Sequence, residues 1–148
     1  MTDIRHNVHG TAIVVGTTGF LFVGGSGAGK SSLAHACITA AQSRGLFSAL
    51  VSDDQVFLSL RGGRVLAEAP PTIAGLIELR GVGIVAAEHI SPALMQFAVM
   101  PVDLSKAPRL PDEGDYHEVV PGIALPLLRL PVTAIDPLGL LMAQIPQG

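Results

Sequence analysis

The sequence has few of the residues that build disulfides, membrane spans or nucleic-acid surfaces. It contains one cysteine, Cys37, which excludes an internal disulfide and is most simply a core residue. Its longest apolar stretch, residues 119–134, is interrupted by Arg129 and by four prolines or glycines, so no membrane span is expected. Lys and Arg total 9 without forming a cluster, and the formal net charge of −3 argues against a nucleic-acid partner.

The N-terminus also lacks the apolar core of a signal peptide, which makes the cytoplasm the expected location. A length of 148 residues favours one domain with a substantial core, over residues 1–148. The mean hydropathy of +0.52 is high for a chain without a membrane span. We therefore expect some apolar surface to be buried between copies of the chain, in a homo-oligomer.

What the sequence does contain is a complete phosphate-binding loop between an apolar strand pattern and a helix-forming stretch. The loop and the helical residue after it are Gly24, Gly25, Ser26, Gly27, Ala28, Gly29, Lys30, Ser31 and Ser32. In this motif backbone N–H groups converge on phosphate oxygens, and the helix N-terminus adds positive potential. Lys30 is expected to reach the β- and γ-phosphates, and the Ser31 hydroxyl to bind Mg²⁺. The chain has only two lysines, so one at this position favours a nucleotide site over a simple turn.

Two adjacent acids follow the buried strand that we predict over residues 47–52. P-loop enzymes carry the acidic group of their Mg²⁺ site at such a strand end, where Asp53 and Asp54 stand here. One of them can hold a metal-bound water or the Ser31 hydroxyl, and the other can accept a proton from an attacking hydroxyl. The alternative is a turn in which aspartate bonds to the backbone.

Glu78 is a further acidic candidate, because it interrupts an apolar segment. A carboxylate buried there would need a cation. It is either a second metal contact or the structural partner of Arg80. The five histidines show no ligand spacing to one another or to Cys37, so no zinc site is expected.

The hydrophobic pattern predicts a strand-rich α/β P-loop domain. A mobile loop is predicted over residues 106–118 and an edge strand over 123–132, because prolines favour sheet edges. Pro101 is expected to interrupt a strand over 97–104. The remaining predicted elements are hairpins at 11–15 with 19–23 and at 55–60 with 64–67, a helical turn at 72–76, a strand at 77–79, and helices at 31–44 and 138–145.

In order and spacing, four segments resemble the HPr kinase/phosphorylase catalytic domain. They are His9–Gly10, the P-loop, residues 51–54 and the Glu-Leu-Arg-Gly-Val-Gly run at 78–83, and the likeness covers about residues 4–104. The resemblance implies a fold similar to phosphoenolpyruvate carboxykinase and a hexameric assembly. It also implies ATP- and Mg²⁺-dependent phosphorylation of a serine of HPr, the phosphocarrier of the sugar phosphotransferase system. Many members of the family also remove that phosphate by phosphorolysis.

The resemblance also implies roles for individual residues of this chain. Lys30 would stabilise the transferring phosphoryl group, and Ser31 and Glu78 would bind Mg²⁺. Asp53 would accept the proton of the incoming serine, and His9 would be its neighbour in the active site.

In the same scheme Asp54 would support the metal and the P-loop, and Arg109 is the best match for an arginine that the family carries in a mobile loop. The regulatory domain that precedes the catalytic domain in many members has no counterpart before His9, so a catalytic domain alone is expected. Residues 131–137 keep the Pro-Val of a segment important for dephosphorylation but lack its Gly-Arg, which argues against phosphorylase activity. Two alternatives to a protein kinase remain open: a nucleotide sensor without turnover, and a small-molecule kinase.

Overall fold

A computed structural model describes residues 4–25, 27–106 and 115–146 of the chain. Within these ranges it contains twelve strands, two α-helices and one 3₁₀ turn. In chain order they are β1 (His6–His9), β2 (Thr11–Val15), β3 (Thr18–Phe22), α1 (Lys30–Ser43), β4 (Ser48–Ser52), β5 (Gln55–Arg61), β6 (Arg64–Glu68), the 3₁₀ turn (Pro71–Ile73), β7 (Leu76–Leu79), β8 (Gly83–Ala86), β9 (Ala93–Met95), β10 (Phe97–Val102), β11 (Tyr116–Val120), β12 (Ile123–Pro131) and α2 (Pro137–Gln144).

The described strands form three sheets. The largest has the order β11–β12–β10–β3–β2–β4, a second has the order β1–β5–β6–β9, and β7 and β8 form a two-stranded hairpin. In the large sheet β3 pairs parallel with β10 and antiparallel with β2, and β10 also pairs parallel with β12. This mixed sheet confirms the strand-rich α/β architecture predicted from the sequence, including the hairpin that leads into the P-loop.

The strand before the P-loop is buried on both faces of the large sheet. Phe20 and Phe22 belong to an apolar cluster that includes both α-helices, whereas Leu21 and Val23 belong to a second cluster shared with the four-stranded sheet. Because successive side chains of a strand point to opposite faces, this strand must be apolar at every position. The P-loop therefore starts from a strand that packing holds on both sides.

An ion pair links the C-terminal end of α1 to the N-terminal end of α2. Helix α1 ends at Ser43, and Gly45 follows with φ 74°, as predicted for its C-terminal stop. One Arg44 nitrogen donates to both carboxylate oxygens of Asp136 at 2.8 Å. Asp136 caps α2 by accepting from the backbone N–H of Gly139 at 3.1 Å. The link sets α2 against α1 beside the central sheet.

The predictions for one loop and two strands were wrong in part, although residues 107–114 of that loop lie outside the described residues. The end of the predicted loop forms β11, so β12 lies between β11 and β10 and is not an edge strand. Pro126 lies just outside the ladder with β10, which runs from Leu127 to Pro131, and Pro131 is the last residue of that ladder and of β12. Pro101 lies inside β10 without interrupting it, and that strand ends at Val102.

A short connection runs beside the outer edge of β4 and bonds to it at Leu50. Leu50 and His89 form an isolated parallel bridge, in which the Leu50 N–H donates to the carbonyl of Glu88 and the Ile90 N–H donates to the carbonyl of Leu50, both at 2.9 Å. These bonds satisfy backbone groups that an edge strand would otherwise leave open. Over the part of the chain that the structure describes, no helix is long and apolar enough to cross a membrane.

Candidate active site

The P-loop leaves the end of β3 and opens directly into α1. Gly24, Gly27 and Gly29 have φ angles of 119°, 79° and 96°, a region that residues with a Cβ rarely adopt. Gly29 is the residue that precedes the first helical residue, Lys30. Three of the four glycines of the motif are therefore needed for the shape of the loop, while Ser26 lies outside the described residues.

The P-loop lysine lies across the loop that precedes it. Its Nζ donates to the carbonyl oxygens of Gly24 at 3.0 Å and Gly25 at 2.9 Å, and the residue is only 7% exposed. Burial lowers the pKa of Lys30 below its usual value, and the charges of Asp54 and Asp53 offset part of that effect. Because two neutral carbonyls only partly compensate a buried ammonium, the site gains by admitting an anion.

Asp53 is the polar centre of the site. Its Oδ1 accepts hydrogen bonds from Ser31 Oγ at 2.6 Å and from Thr11 Oγ1 at 2.8 Å, and its Oδ2 accepts from the backbone N–H of Glu78 at 2.9 Å. The residue is 5% exposed, and three donors compensate the buried carboxylate. This one side chain therefore joins α1, β2 and β7.

Asp54 faces a different environment from its neighbour. It adopts a φ of 70°, and its carbonyl accepts from the Gly10 N–H at 3.0 Å. Its Oδ1 lies 3.3 Å from Nδ1 of His9, with the two side chains 66% and 46% exposed. The resemblance implied that His9 is a neighbour of Asp53, whereas the structure pairs its ring with Asp54.

Glu78 lines the cleft and is exposed on β7. The apolar segment around Glu78 predicts a buried carboxylate that needs a cation, whereas the structure shows this carboxylate exposed. Among the described residues it forms no ion pair with Arg80, the structural partner considered above. The described part of the chain also has no group of three His, Cys, Asp or Glu side chains that could hold a metal. A P-loop magnesium site needs fewer protein ligands, because phosphate oxygens and water complete it.

These elements surround one open cleft of about 650 Å³. Its lining residues are His9, Thr11, Gly27, Gly29, Lys30, Ser31, Ser32, Asp53, Asp54, Glu78, Leu79, Arg80, Gly81, Val82 and Gly83. The predicted residues His9, Lys30, Asp53 and Glu78 are thus brought together. Arg109, the predicted loop arginine, lies outside the described residues.

Sequence reasoning missed Thr11. This residue is fully buried at the start of β2, and its hydroxyl donates to Asp53. The only available signal was a hydroxyl at the head of an otherwise apolar strand, which β propensity alone explains equally well. Its role depends on a contact across 42 positions of sequence, which the pattern along the chain does not contain.

A glycine-rich loop between a buried strand and a helix, with its serine bonded to a strand-end aspartate, defines a P-loop phosphate-binding protein. The sequence model of the HPr Serine kinase C-terminal domain matches residues 3–135. The chain belongs to this family, and the predicted resemblance is confirmed.

Several known proteins are similar to this chain. The HPr kinase/phosphorylase of Mycoplasmopsis pulmonis is 38% identical over 78 residues, which are 53% of this chain and 23% of that protein. The HPr kinase/phosphorylase of Lactobacillus delbrueckii subsp. bulgaricus is 37% identical over 82 residues, which are 55% of this chain and 24% of that protein. The matched region thus spans about a quarter of these relatives.

Among solved structures, the Hpr(Ser) kinase/phosphatase from Coxiella burnetii matches with a TM-score of 0.71 and 26% sequence identity. The match covers 93% of this chain and 86% of that one. The fold predicted from the sequence is therefore the fold of this relative.

Proposed function

We propose that this chain is an ATP- and Mg²⁺-dependent protein kinase that phosphorylates a serine of HPr, the phosphocarrier of a sugar phosphotransferase system. The observation that carries the proposal is the 2.6 Å hydrogen bond between Ser31 and Asp53. It joins the P-loop to the acidic pair within one cleft, as phosphoryl transfer requires. The family and the names of the relatives above support HPr as the acceptor.

The residues of the cleft suit a magnesium nucleotide. The glycines of the loop leave its backbone N–H groups for phosphate oxygens, and Lys30 would exchange its two carbonyl partners for the terminal phosphates. The Ser31 hydroxyl and the exposed Glu78 carboxylate are oxygen donors of the kind that Mg²⁺ prefers. When bound, Mg²⁺ would neutralise part of the charge on the phosphates.

The two aspartates suit different tasks in this reaction. Asp53, the proton acceptor expected from the resemblance, is buried and already accepts from two hydroxyls and an amide. Asp54 is 66% exposed in the same cleft, and among the described residues its side chain pairs with His9. Because a proton acceptor must reach the incoming hydroxyl, the geometry favours Asp54 for proton transfer and Asp53 for holding Ser31.

We further propose that the chain does not catalyse phosphorolysis. Val132 lies against the P-loop, since its Cγ1 would be 3.8 Å from a Cβ built on Gly29. Asp136 stands where the Gly-Arg segment of the resembling family carries its arginine, and here it pairs with Arg44 and caps α2. This position therefore supplies no cation that could bind phosphate, so adding phosphate to phosphorylated HPr should release no label.

We also propose that the chain works as a homo-oligomer, by resemblance a hexamer. Val82 and Ile84 at the end of the β7–β8 hairpin are 72% and 68% exposed, which favours burial of this hairpin between subunits. Light scattering should then give a mass of at least twice the 15.3 kDa of one chain, and a mass equal to one chain would contradict the proposal.

The deciding experiment is phosphotransfer from radiolabelled ATP with Mg²⁺ to HPr from the same genome. HPr with its acceptor serine changed to alanine is the control. Label that depends on the serine supports the kinase. ATP binding without label supports the nucleotide sensor, and label transferred to a small molecule supports the remaining alternative.

A further inference from the structure

We propose that Arg80 contacts the terminal phosphoryl group of the bound nucleotide and stabilises its charge during transfer. The proposal rests on the function proposed above. From the sequence, Arg80 is considered only as a structural partner of Glu78, and the arginine expected in the active site is Arg109.

The first observation is the position of the guanidinium beside the phosphate loop. A Cβ built on Gly27 would lie 3.5 Å from Nη2 of Arg80, so this nitrogen lies against the loop backbone. Arg80 lines the same cleft as Lys30. A phosphate held by the loop amides would therefore have Arg80 beside it.

The second observation is that the backbone holds this arginine in place. Arg80 follows β7, whose Ile77 is 1% exposed and whose Glu78 N–H donates to Asp53. The chain then turns sharply, with the Val82 N–H donating to the carbonyl of Leu79 at 3.0 Å. The base of the side chain is therefore coupled to the carboxylate that also holds the P-loop serine.

The third observation is charge. Arg80 is exposed, and no carboxylate of the described residues pairs with it, whereas Arg44 and Arg129 each have an aspartate partner. Placed beside a phosphate loop, an uncompensated guanidinium is suited to an anion. Its planar fork matches two oxygens of one phosphoryl group, which an ammonium cannot do.

During transfer the bond between the γ-phosphorus and its bridging oxygen breaks, and the bridging oxygen leaves with the electron pair as part of ADP. A bond forms between the phosphorus and the serine oxygen of the acceptor, whose proton passes to Asp54. Arg80 would donate N–H groups to the non-bridging oxygens, where negative charge is spread in the transition state. It neither takes nor gives a proton.

The test compares ATP and ADP affinities, measured by calorimetry with Mg²⁺ and without HPr. Arg80→Gln should weaken ATP binding about tenfold or more and ADP binding less than about twofold, because only ATP carries the contacted group. Arg80→Lys should fall between the wild type and Arg80→Gln. Arg64→Gln, at an exposed arginine outside the cleft, should leave both affinities unchanged.

Equal weakening of ATP and ADP by Arg80→Gln, or no weakening of ATP, would overturn the proposal. Failure of the Arg80 proposal can be distinguished from failure of the proposed kinase function. A wild-type chain that binds ATP but labels no HPr would end the kinase proposal, while the contrast between ATP and ADP still decides the contact. In an active kinase, Arg80→Gln should also lower kcat by at least about a hundredfold.

Discussion

Replacing Asp53 and Asp54 by asparagine, one at a time, should separate anchoring from proton transfer. In Asp53→Asn the remaining carbonyl oxygen can still accept from Ser31 and Thr11. The new amide group, however, faces the Glu78 N–H, so two donors meet and a hydrogen bond to a charged acceptor is lost. Such a loss costs about 1.5–3 kcal/mol. For a chain of this size it lowers Tm by about 3–12 °C.

Asp54→Asn should behave in the opposite way. The side chain is 66% exposed and its pair with His9 is a surface contact, worth about 0–1 kcal/mol. Asparagine also tolerates the positive φ of this position, so Tm should change by less than about 4 °C. Transfer to HPr should nevertheless fall about 10²–10⁴-fold, because the group that accepts the proton is gone.

The assay measures Tm by circular dichroism, ATP affinity and the rate of transfer for each variant. Glu118→Gln, at an exposed carboxylate on β11 outside the cleft, is the matched control and should be unchanged in all three. Transfer at the wild-type rate by Asp54→Asn, with none by a folded Asp53→Asn that still binds ATP, would contradict this assignment of the two aspartates. In that case Asp53 is the proton acceptor, as the resemblance implies.

Three further predictions concern titratable groups. Burial lowers the pKa of Lys30 below 10.5, so just below pH 10.5 the unfolded chain binds more protons than the folded chain. The free energy of unfolding should therefore rise with pH in that range. Urea titrations of Lys30→Met should show no such rise. The Gly139 N–H and Arg44 lower the pKa of Asp136 below 3.8, so the stabilisation by its carboxylate should be lost as pH falls through the folded-state pKa. The Tm of Asp136→Asn should therefore decline less steeply in acid than the Tm of the wild type. Burial raises the pKa of the Cys37 thiol to about 12, so a disulfide reagent at about pH 8 should label it only in the presence of urea, and rapid labelling of the native chain would contradict its burial.

The elements that could be predicted from the sequence are those that local signals define. Gly62 and Gly63 both have positive φ in the turn of the β5–β6 hairpin, where their residue type predicted it. The P-loop and α1 were predicted from a motif whose residues are adjacent in the chain. β1 was missed because only Val8 of its four residues is buried, so its pattern gives little sign of a strand. β9 was missed because three residues are too few to show a period.

The candidate site was predicted in its composition more than in its arrangement. The contact of Ser31 with one of the two aspartates was one of the options that the sequence left open, and Asp53 makes it. Both aspartates line the cleft, but Asp53 is buried and Asp54 is exposed, and Asp54 adopts a φ of 70°. That angle is a property of the turn into β5, and residue types alone do not determine it.

The connection that runs beside β4 also has a consequence for aggregation. The strand is buried at every position, and a short apolar strand with an open side is a template for intermolecular pairing. The backbone hydrogen bonds of Leu50 with Glu88 and Ile90 occupy its N–H and C=O on the open edge of β4. In the folded chain, these bonds at Leu50 therefore oppose pairing of this end of the main sheet with strands of other molecules.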